Sequence, residues 1–510
     1  MRIAMTGASG NMGTEALKQT IGLKNVEWIR ILLLNTKKDR RYAKHLLKLY
    51  GNKVQLVFGS ITEETSCVAL VKDADYIVHM AAVIPPKSDA APQDSYLCNA
   101  IGTETLVKVI LRDNANTKFI YISTVALYGN RNEKHPFGRV GDPLIVSPFD
   151  AYAKDKLYGE RCVLDAELPC WVILRQTAML HPNIFKDNLS DGLMFHTALN
   201  APLEWVSSRD SGYLIKRIIE RDGKNEIPQF WKKIYNIGAG EKGRRTGYDT
   251  FNDGFAMIGG TTEKYFQPNW FSARNFHGMW FADSDELNDL FGYQRDSVQS
   301  YWQEIADAHP VFALGRFIPK KLFYLFLFRR LLRHPNSPQT WIKRGDKARI
   351  AAYFGGKKKL SEMPTRWKDT KLITKGDFGD PNAMKKTENA VLPSHGYDEN
   401  KSPENWTIDD MRKAAAFRGG KCLSDVIDED IYKKIYWQCA EGHTFESSPY
   451  TVLRGGHWCP HCCMPSPWRF DHVAKKAPFY AQVWYDSHDK DENNFYEMDN
   501  DGNVSVRKDI

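Results

Sequence analysis

Short apolar runs alternate with helical stretches along the first three hundred residues of the chain. The apolar runs are "RIAMT", "EWIRILLLN", "KVQLVFG", "ADYIVHMAAV", "KFIYIST" and "CWVILRQT". Stretches whose apolar residues have helical spacing, such as "GTETLVKVILRD", separate most of them. This alternation predicts an α/β fold, in which a doubly wound parallel sheet carries helices on both faces. A ligand is expected at the carboxyl ends of the strands.

The first strand runs directly into the glycine-rich turn "TGASGNMG", and a helical pattern follows it. Gly7 can adopt unusual backbone angles, Gly10 lets a pyrophosphate approach the backbone, and Gly13 allows close helix packing. The beginning of the following helix favours a negatively charged phosphate. A plain tight turn is the alternative interpretation, but the position after the first strand favours a dinucleotide site in a Rossmann-type sheet.

Three residues suited to proton transfer follow the later strands. Thr124 closes the strand "KFIYIST", and Tyr152 and Lys156 lie four residues apart in "SPFDAYAKDKLYGE". On a helix this spacing places both side chains on one face. A phenol has a pKa of about 10, and a neighbouring ammonium group lowers it by favouring the phenolate. These groups form an acid/base set for an alcohol or a carbonyl, whereas the alternative is an ordinary amphipathic helix.

The order of these motifs resembles that of extended short-chain dehydrogenases/reductases of the NAD-dependent epimerase/dehydratase family. The matching segments are "TGASGNMG", "HMAA", "NAIGT", "ISTVALYG", "YAKDK" and "LRQT", followed on the substrate side by "EWVSSRDSGYLI", "KIYNIGAGE" and "FADSDELNDLFGY". The resemblance covers residues 1–305. It implies a Rossmann-type domain with a small substrate-side subdomain, which binds NAD or NADP. We also expect a homodimer.

The resemblance implies roles for individual residues. Tyr152 would be the general acid/base, Lys156 would lower its pKa and bond the nicotinamide ribose, and Thr124 would hold the reacting oxygen. The glycines would cradle the pyrophosphate, and the segment 80–82 would line the dinucleotide. The residues expected at the cofactor are Gly7, Ser9, Gly10, Asn11, Met12, Gly13, Asn35, Lys37, Ser60, Ile61, Met80, Ala81, Ala82, Asn99, Tyr152 and Lys156.

Three places depart from the family pattern. The second strand ends in Asn35 and a basic stretch with Lys37 instead of a carboxylate, which favours NADP because a basic loop suits a 2′-phosphate. Ser60 stands where an acidic residue often contacts adenine. Val125 and Ala126 occupy the place of the acidic pair of family dehydratases, which argues against sugar 4,6-dehydration. An epimerase, a carbonyl reductase and a hydroxy dehydrogenase stay open.

The length of 510 residues indicates two or three domains. We expect the nucleotide-binding and substrate-side part over 1–305, a basic helical or irregular linker over 306–403, a small metal-binding domain over 404–468 and an acidic, aromatic extension over 469–510. The net charge of +8 does not by itself indicate a nucleic-acid partner. Since no signal-peptide pattern and no apolar run of membrane-spanning length is visible, we expect a cytoplasmic protein.

The segment 316–333, "RFIPKKLFYLFLFRRLLR", combines a short apolar core with basic flanks. We expect a helix that packs on the first domain and keeps its basic ends in water. The alternative is a basic amphipathic helix that lies on an anionic membrane surface.

Five of the nine cysteines fall between residues 422 and 463. Cys439 and His443 are spaced C-x3-H, and Cys459 and Cys462 are spaced C-x2-C, so that the two pairs can converge on one tetrahedral ion. Four protein ligands leave no open position, which predicts one structural zinc and not a catalytic one. Residues 404–468 also resemble treble-clef or zinc-ribbon modules.

The assignment of the ligands leaves alternatives open. Cys422 and Cys463 are left over, Cys463 could replace Cys462, and His457 or His461 could enter the cluster.

The combined expectation is an NAD(P)-dependent oxidoreductase or epimerase that acts on a hydroxyl or carbonyl carbon of a small molecule, with a nucleotide-sugar as one candidate. The alternative is a nucleotide- or redox-sensing domain whose zinc module binds nucleic acid or a protein partner. The basic stretch 316–359 gives this alternative electrostatic support.

Overall fold

The computed structural model describes residues 1–184, 191–274, 277–374, 381–463, 468–499 and 503–508. The strands in these ranges are β1 Arg2–Thr6, β2 Trp28–Leu33, β3 Val54–Phe58, β4 Tyr76–His79, β5 Lys118–Thr124, β6 Phe137–Gly138, β7 Trp171–Gln176, β8 Ala178–Leu180, β9 Pro202–Ser207, β10 Lys233–Ile237, β11 Arg244–Thr246, β12 Trp280–Phe281, β13 Lys421–Cys422, β14 Ile435–Gln438, β15 Thr444–Ser447, β16 Asn494–Met498 and β17 Val504–Lys508.

The helices fall into two groups along the chain. Those up to residue 308 are α1 Asn11–Thr20, α2 Lys37–Tyr50, α3 Glu64–Val71, α4 Lys87–Ala90, α5 Pro92–Ser95, α6 Gly102–Asp113, α7 Ala151–Asp165, α8 Ser208–Asp222, α9 Gly247–Ala256, α10 Thr262–Tyr265, α11 Asp285–Phe291 and α12 Val298–Ala308. Those that follow are α13 Lys320–Phe323, α14 Arg329–Leu332, α15 Pro338–Arg344, α16 Lys347–Phe354, α17 Lys357–Ser361, α18 Pro381–Met384, α19 Ile408–Phe417, α20 Pro449–Leu453, α21 Pro460–Cys463, α22 Phe470–Lys476 and α23 Pro478–Trp484.

A seven-stranded parallel sheet in the order β10–β7–β5–β4–β1–β2–β3 forms the centre of the molecule. Its central strands are apolar on both faces because helices cover both. The helices α1 and α8 pack on one face, and α3 and α6 pack on the other. The predicted doubly wound Rossmann-type sheet is therefore confirmed. The strand order reverses between β1 and β4, and such a reversal opens a ligand crevice at the carboxyl ends of these two strands.

The substrate-side part contributes two small sheets. Strand β9 pairs parallel with β8 and antiparallel with β11, and β12 pairs parallel with β6. The segment between α12 and α19 forms short helices. Tyr353 of α16 reaches the loop that leads into α7, where its ring lies 5.7 Å from that of Phe149, and Trp341 of α15 packs on His196 with the rings 4.7 Å apart. None of the described helices is long and apolar enough to cross a bilayer.

The C-terminal module, defined here as residues 404–463, contains the antiparallel sheet β13–β14–β15 and covers the edge strand β10. The hydroxyl of Tyr450 accepts a hydrogen bond from the backbone N–H of Ile234 in β10 (2.9 Å). The hydroxyl of Tyr432 donates to the carbonyl of Lys232 (2.6 Å). These contacts satisfy backbone groups of an edge strand that would otherwise be open to another chain.

Candidate active site and metal centre

The glycine turn fits against the loop after β4 so closely that side chains are excluded. Gly7 has a φ of +69°, and a Cβ atom there would lie 2.6 Å from the backbone nitrogen of Ala81 and from the carbonyl carbon of Met80. A Cβ atom on Gly13 would lie 2.1 Å from the carbonyl oxygen of Gly7. Glycine is therefore required at both positions. The turn and the segment 80–82 together form the crevice between β1 and β4.

A buried chain of hydrogen-bonded side chains holds together the two strands that flank this crevice. His79, at the end of β4, contacts the hydroxyl of Thr6 through Nδ1 (2.7 Å) and that of Thr103 through Nε2 (3.0 Å). The Thr6 hydroxyl also accepts from the backbone N–H groups of Met80 and Ala81 (3.1 and 3.0 Å). Burial holds the pKa of His79 well below its ordinary value, so the ring is neutral. His79 belongs to the segment "HMAA", but the sequence pattern did not indicate a role for it.

Asn99 holds the same loop from the other side. Its Oδ1 accepts from the backbone N–H of Val83, and its Nδ2 donates to the Val83 carbonyl, both at 2.8 Å. Asn99 was expected at the cofactor; its side chain is fully buried, and its amide group supports the loop after β4.

The predicted adenosine-side residues lie at the adjacent strand ends. Asn35 accepts from Nε of Arg40 (2.6 Å), and Lys37 is exposed in the first turn of α2. The backbone N–H of Ser60 donates to Glu63 (3.1 Å). Of three further predicted cofactor residues, Asn11 begins α1, and Met12 and Ile61 are buried.

One acidic residue in this region escaped sequence reasoning. Oδ1 of Asp39 lies 3.4 Å from the hydroxyl of Ser9 in the glycine turn. Asp39 also closes the first turn of α2 with Thr36, whose Oγ1 accepts from the Asp39 backbone N–H (3.1 Å). Asp39 lies three residues after Thr36, and this spacing is the pattern of a helix cap that could have indicated it.

The three predicted catalytic residues converge at the carboxyl edge of the sheet. Thr124 ends β5 and is buried, and Tyr152 lies in the first turn of α7, where the Thr124 hydroxyl acts to lower its pKa. Lys156 lies one turn further along the same helix; its Nζ donates to the carbonyl of Ile122 (2.6 Å) and stands 4.0 Å from the ring centre of Tyr121.

The electrostatics of this set differ from the sequence expectation. Burial raises the pKa of Tyr152 to about 12, and the hydrogen bond with Thr124 opposes this shift only in part. Burial also lowers the pKa of Lys156 to about 7. We expected Lys156 to lower the phenol pKa, but its ammonium group is directed to the Ile122 carbonyl. The phenol is consequently protonated at neutral pH.

Further titratable groups at the beginning of α7 were also missed. Asp150 caps the helix by accepting from the backbone N–H of Ala153 (2.9 Å), and its other oxygen lies 2.9 Å from Nδ1 of His277. A cavity of about 40 Å³ beside it is lined by Asp89 and Arg349 among others. Burial raises the pKa of Asp89 to about 7. These residues come from distant parts of the chain, so no local motif indicates them.

A buried charged cluster lies behind helix α7. Glu160, one turn after Lys156, accepts from Arg175 of β7 (2.5 Å) and from Ser123, the neighbour of Thr124 (2.6 Å). Nε2 of His457 in the C-terminal module lies 3.0 Å from the same carboxylate. Burial alone would raise the pKa of Glu160, but Arg175 and His457 outweigh it and hold the pKa well below its ordinary value.

The four predicted metal ligands come together in the C-terminal module. The ligand atoms of Cys439, His443, Cys459 and Cys462 all lie within 4.8 Å of one another. Sγ of Cys439 is 3.6 Å from Sγ of Cys462 and 3.5 Å from Nδ1 of His443. Bonds of about 2.3 Å to a tetrahedral zinc place ligand atoms at similar separations. The Cys/His cluster could therefore bind a metal ion.

The structure places three of the alternative ligands, Cys422, His457 and His461, outside the cluster of four. Sγ of Cys422 contacts the carbonyl of Ser424 (3.8 Å), and His457 points away to Glu160. The ring of His461 lies 5.2 Å from that of His443 without joining the cluster. The side chain of Cys463 lies outside the described part of the chain.

Comparison with known proteins agrees with this architecture. Residues 3–238 match the model of the NAD dependent epimerase/dehydratase family. The resemblance inferred from the motifs is thus confirmed for this region, which carries the nucleotide crevice and the Thr124–Tyr152–Lys156 set.

Two characterised relatives share part of this region. A dTDP-glucose 4,6-dehydratase of Mycolicibacterium smegmatis is 26% identical over 164 residues, which cover 32% of this chain and 48% of that protein. A D-erythronate dehydrogenase of Haemophilus influenzae is 23% identical over 172 residues, which cover 32% of this chain and 50% of that protein. The chain thus spans about half the length of these relatives.

Solved structures with a similar outline include two sugar-nucleotide enzymes. One is a dTDP-glucose 4,6-dehydratase of Bacillus anthracis in complex with NAD, with a TM-score of 0.47 and 17% sequence identity. The match covers 62% of this chain and 98% of the dehydratase chain. The other is a UDP-Glc/GlcNAc 4-epimerase of Campylobacter jejuni, with a TM-score of 0.47 and 17% sequence identity. That match covers 61% of this chain and 99% of the epimerase chain.

Proposed function

We propose that the chain is an NAD(P)-dependent oxidoreductase or epimerase that acts at a hydroxyl or carbonyl carbon. The observation that carries the proposal is the placement of Thr124 at the end of β5 and of Tyr152 and Lys156 one turn apart on α7, at the edge of the sheet where the Gly7 crevice opens. A hydroxyl and a protonated phenol side by side can hold a substrate oxygen and transfer a proton to it.

Each residue of the set has its own task in this reaction. Tyr152, whose pKa is raised to about 12 by burial, donates its proton to a carbonyl oxygen in the reductive direction and takes it back in the oxidative one. Thr124 orients the substrate oxygen through its hydroxyl. Lys156 donates to the Ile122 carbonyl and thereby fixes the beginning of α7 against β5. The dinucleotide, when bound, supplies the hydride acceptor or donor.

We favour oxidation, reduction or epimerisation over 4,6-dehydration. Elimination of water needs an acid and a base close to the substrate in addition to the phenol. Val125 and Ala126, which follow Thr124, are buried and apolar. The substrate is a small molecule, and a nucleotide-sugar is the class that fits the family.

The preferred cofactor in this proposal is NADP. Lys37, Lys38, Arg40 and Arg41 begin α2 beside the end of β2, where the adenosine ribose of a dinucleotide lies in this fold. Asp39 is the exception in this basic stretch, and its role is to cap α2 with Thr36.

The metal centre in this proposal is one structural zinc. Its four ligands would complete the coordination of the ion, so substrate could not reach it. The module therefore supports the enzyme instead of taking part in the chemistry.

Substitution of Tyr152 by phenylalanine tests the proposal. We expect Tyr152→Phe to lose at least a hundredfold in turnover of a carbonyl or hydroxyl substrate, because it removes a general acid, and to keep its affinity for the cofactor. Turnover is followed by NAD(P)H absorbance with a panel of sugar nucleotides and hydroxy acids, and cofactor binding by fluorescence. Tyr158→Phe, on the same helix, is the matched control, because its hydroxyl bonds Glu104 (2.9 Å) away from the site. Full turnover by Tyr152→Phe would refute the proposal.

A further inference from the structure

A patch of exposed apolar side chains lies outside the candidate active site. Of the 22 large hydrophobic residues that are exposed in the described part of the chain, eight fall within residues 311–326. Phe317 and Phe326 are the most exposed of these, at 74% and 76%. We name this patch the 311–326 face; its members are Val311, Leu314, Phe317, Ile318, Leu322, Tyr324, Leu325 and Phe326.

The segment that carries this face is held to the protein by its opposite side. The ring of Phe323 lies 4.8 Å from that of Tyr265, and the buried ring of Phe328 lies 5.0 Å from that of Phe266. The outward direction of Phe326 therefore follows from the packing of its neighbours. A segment that is apolar on both its inner and its outer side needs a second apolar environment.

The net charge of the chain is concentrated in the sequence segment that carries this face. Residues 308–345 contain eight Lys or Arg residues and neither Asp nor Glu. The remaining 62 basic residues of the chain equal its 62 acidic residues in number, so the formal charge of +8 resides in this segment. The eight basic side chains are all exposed: Arg316, Lys320, Lys321, Arg329, Arg330, Arg333, Lys343 and Arg344.

We propose that the 311–326 face docks on the surface of an anionic phospholipid bilayer. Apolar side chains such as Phe317 and Phe326 would enter the boundary between headgroups and acyl chains, and the surrounding lysines and arginines would contact lipid phosphates. Both properties of the face, its exposed apolar area and its uncompensated positive charge, are used in this arrangement. The basic residues act as an electrostatic anchor that weakens with salt.

Other occupants satisfy only one of the two properties. A second copy of this chain on a twofold axis would bring two identical positive patches together, which is unfavourable. A nucleic acid would neutralise the charge but would leave the aliphatic side chains Val311, Leu314 and Leu325 without an apolar partner. An anionic bilayer is the partner that offers a negative surface and an apolar interior at once.

Co-sedimentation of the full chain with vesicles tests this proposal. We expect binding to vesicles of phosphatidylcholine with 30% phosphatidylserine, at least tenfold weaker binding to phosphatidylcholine alone, and release by high salt. The double variant Phe317→Ser/Phe326→Ser should bind the anionic vesicles at least tenfold more weakly. The variant Lys320→Gln/Lys321→Gln should lose about fivefold per removed charge.

The matched control is Val426→Ser, because Val426 is as exposed as Phe326 (76%) but lies in the C-terminal module. It should bind like the unchanged protein. Melting temperature and NAD(P)H binding of every variant report whether the fold is intact. Absence of vesicle binding at physiological salt would overturn the proposal, and so would unchanged binding by the double phenylalanine variant. Conversion of a dimer to a monomer by that variant, measured by analytical ultracentrifugation without lipid, would also overturn it by showing that a second copy covers the face.

Discussion

Nε2 of His457 lies 3.0 Å from Oε1 of Glu160, and this contact joins the C-terminal module to the helix that carries Tyr152 and Lys156. His457 precedes the predicted zinc ligand Cys459 by two residues. Glu160 is buried and also binds Arg175, whose Nη2 donates to the carbonyl of Gly455 in the same module (2.7 Å). The Cys/His cluster is thereby connected to helix α7 through protein contacts.

The first prediction concerns the charge balance of this buried cluster. We expect Glu160→Gln to lower the free energy of unfolding by about 3 kcal/mol, because it leaves the guanidinium of Arg175 buried without its counter-charge. Urea denaturation of the full chain measures this effect. Glu104→Gln is the control: its partner Lys108 is largely exposed, so the change should stay below about 1 kcal/mol. Equal stability of Glu160→Gln and the unchanged protein would show that the cluster contributes little.

The second prediction concerns the metal. We expect one zinc per chain in the purified protein and loss of this zinc in Cys459→Ser, because the remaining three ligands cannot complete a tetrahedral site. Structural zinc supplies much of the folding free energy of such a module. Turnover should therefore fall together with the melting temperature, since the loop at Gly455 and His457 would no longer hold Arg175 and Glu160.

Elemental analysis and differential scanning calorimetry measure the zinc content and the melting temperature. Cys422→Ser is the control, because Cys422 lies outside the cluster and its Sγ is directed to the Ser424 carbonyl. Retention of zinc by Cys459→Ser would contradict the assignment of the ligands.

Much of the fold could be predicted because its signals are local. Buried parallel strands are continuous apolar runs, and three glycines directly after the first strand mark the turn at Gly7. The spacing of Tyr152 and Lys156 on one helix, and the C-x3-H and C-x2-C pairs, likewise require only short stretches of chain.

The remainder depends on contacts between distant residues. The approach of His457 to Glu160 spans 297 positions, and nothing near either residue indicates it. The pKa of Tyr152 was wrongly expected to fall, since the sequence shows that Lys156 is near but not that its Nζ bonds the Ile122 carbonyl. The roles of His79 and Asp150 escaped for the same reason: the partners that define them, Thr103 and His277, come from other elements.

The third prediction concerns the choice between NADP and NAD. We expect tighter binding of NADPH than of NADH, and about tenfold weaker binding of NADPH by Lys37→Glu, because the variant removes a charge-assisted contact to the 2′-phosphate and adds repulsion. Binding of NADH should hardly change. Lys48→Glu, at the other end of α2, is the control of equal charge. Dissociation constants measured by NAD(P)H fluorescence test this prediction. An unchanged NADPH affinity in Lys37→Glu would indicate that the protein prefers NAD.

The fourth prediction concerns the buried ammonium of Lys156. Its pKa is lowered to about 7 by burial, whereas a lysine in an unfolded chain has a pKa of about 10.4. Between these two values the unfolded state binds more protons than the folded state, so this group makes the folded state more stable as the pH rises. The slope amounts to at most about 1.4 kcal/mol per pH unit.

A comparison with Lys156→Met isolates this contribution in the cofactor-free protein. We expect the free energy of unfolding of the unchanged protein, measured relative to that of Lys156→Met, to rise between pH 7.5 and pH 10 and to level off below pH 7. Lys154→Met is the control, because Lys154 lies on the same helix and pairs with Asp155 at 3.8 Å. Its difference from the unchanged protein should stay constant over this range. A difference for Lys156→Met that does not vary with pH would mean that Lys156 keeps its proton in the folded state, and that its ammonium charge is present beside Tyr152 during catalysis.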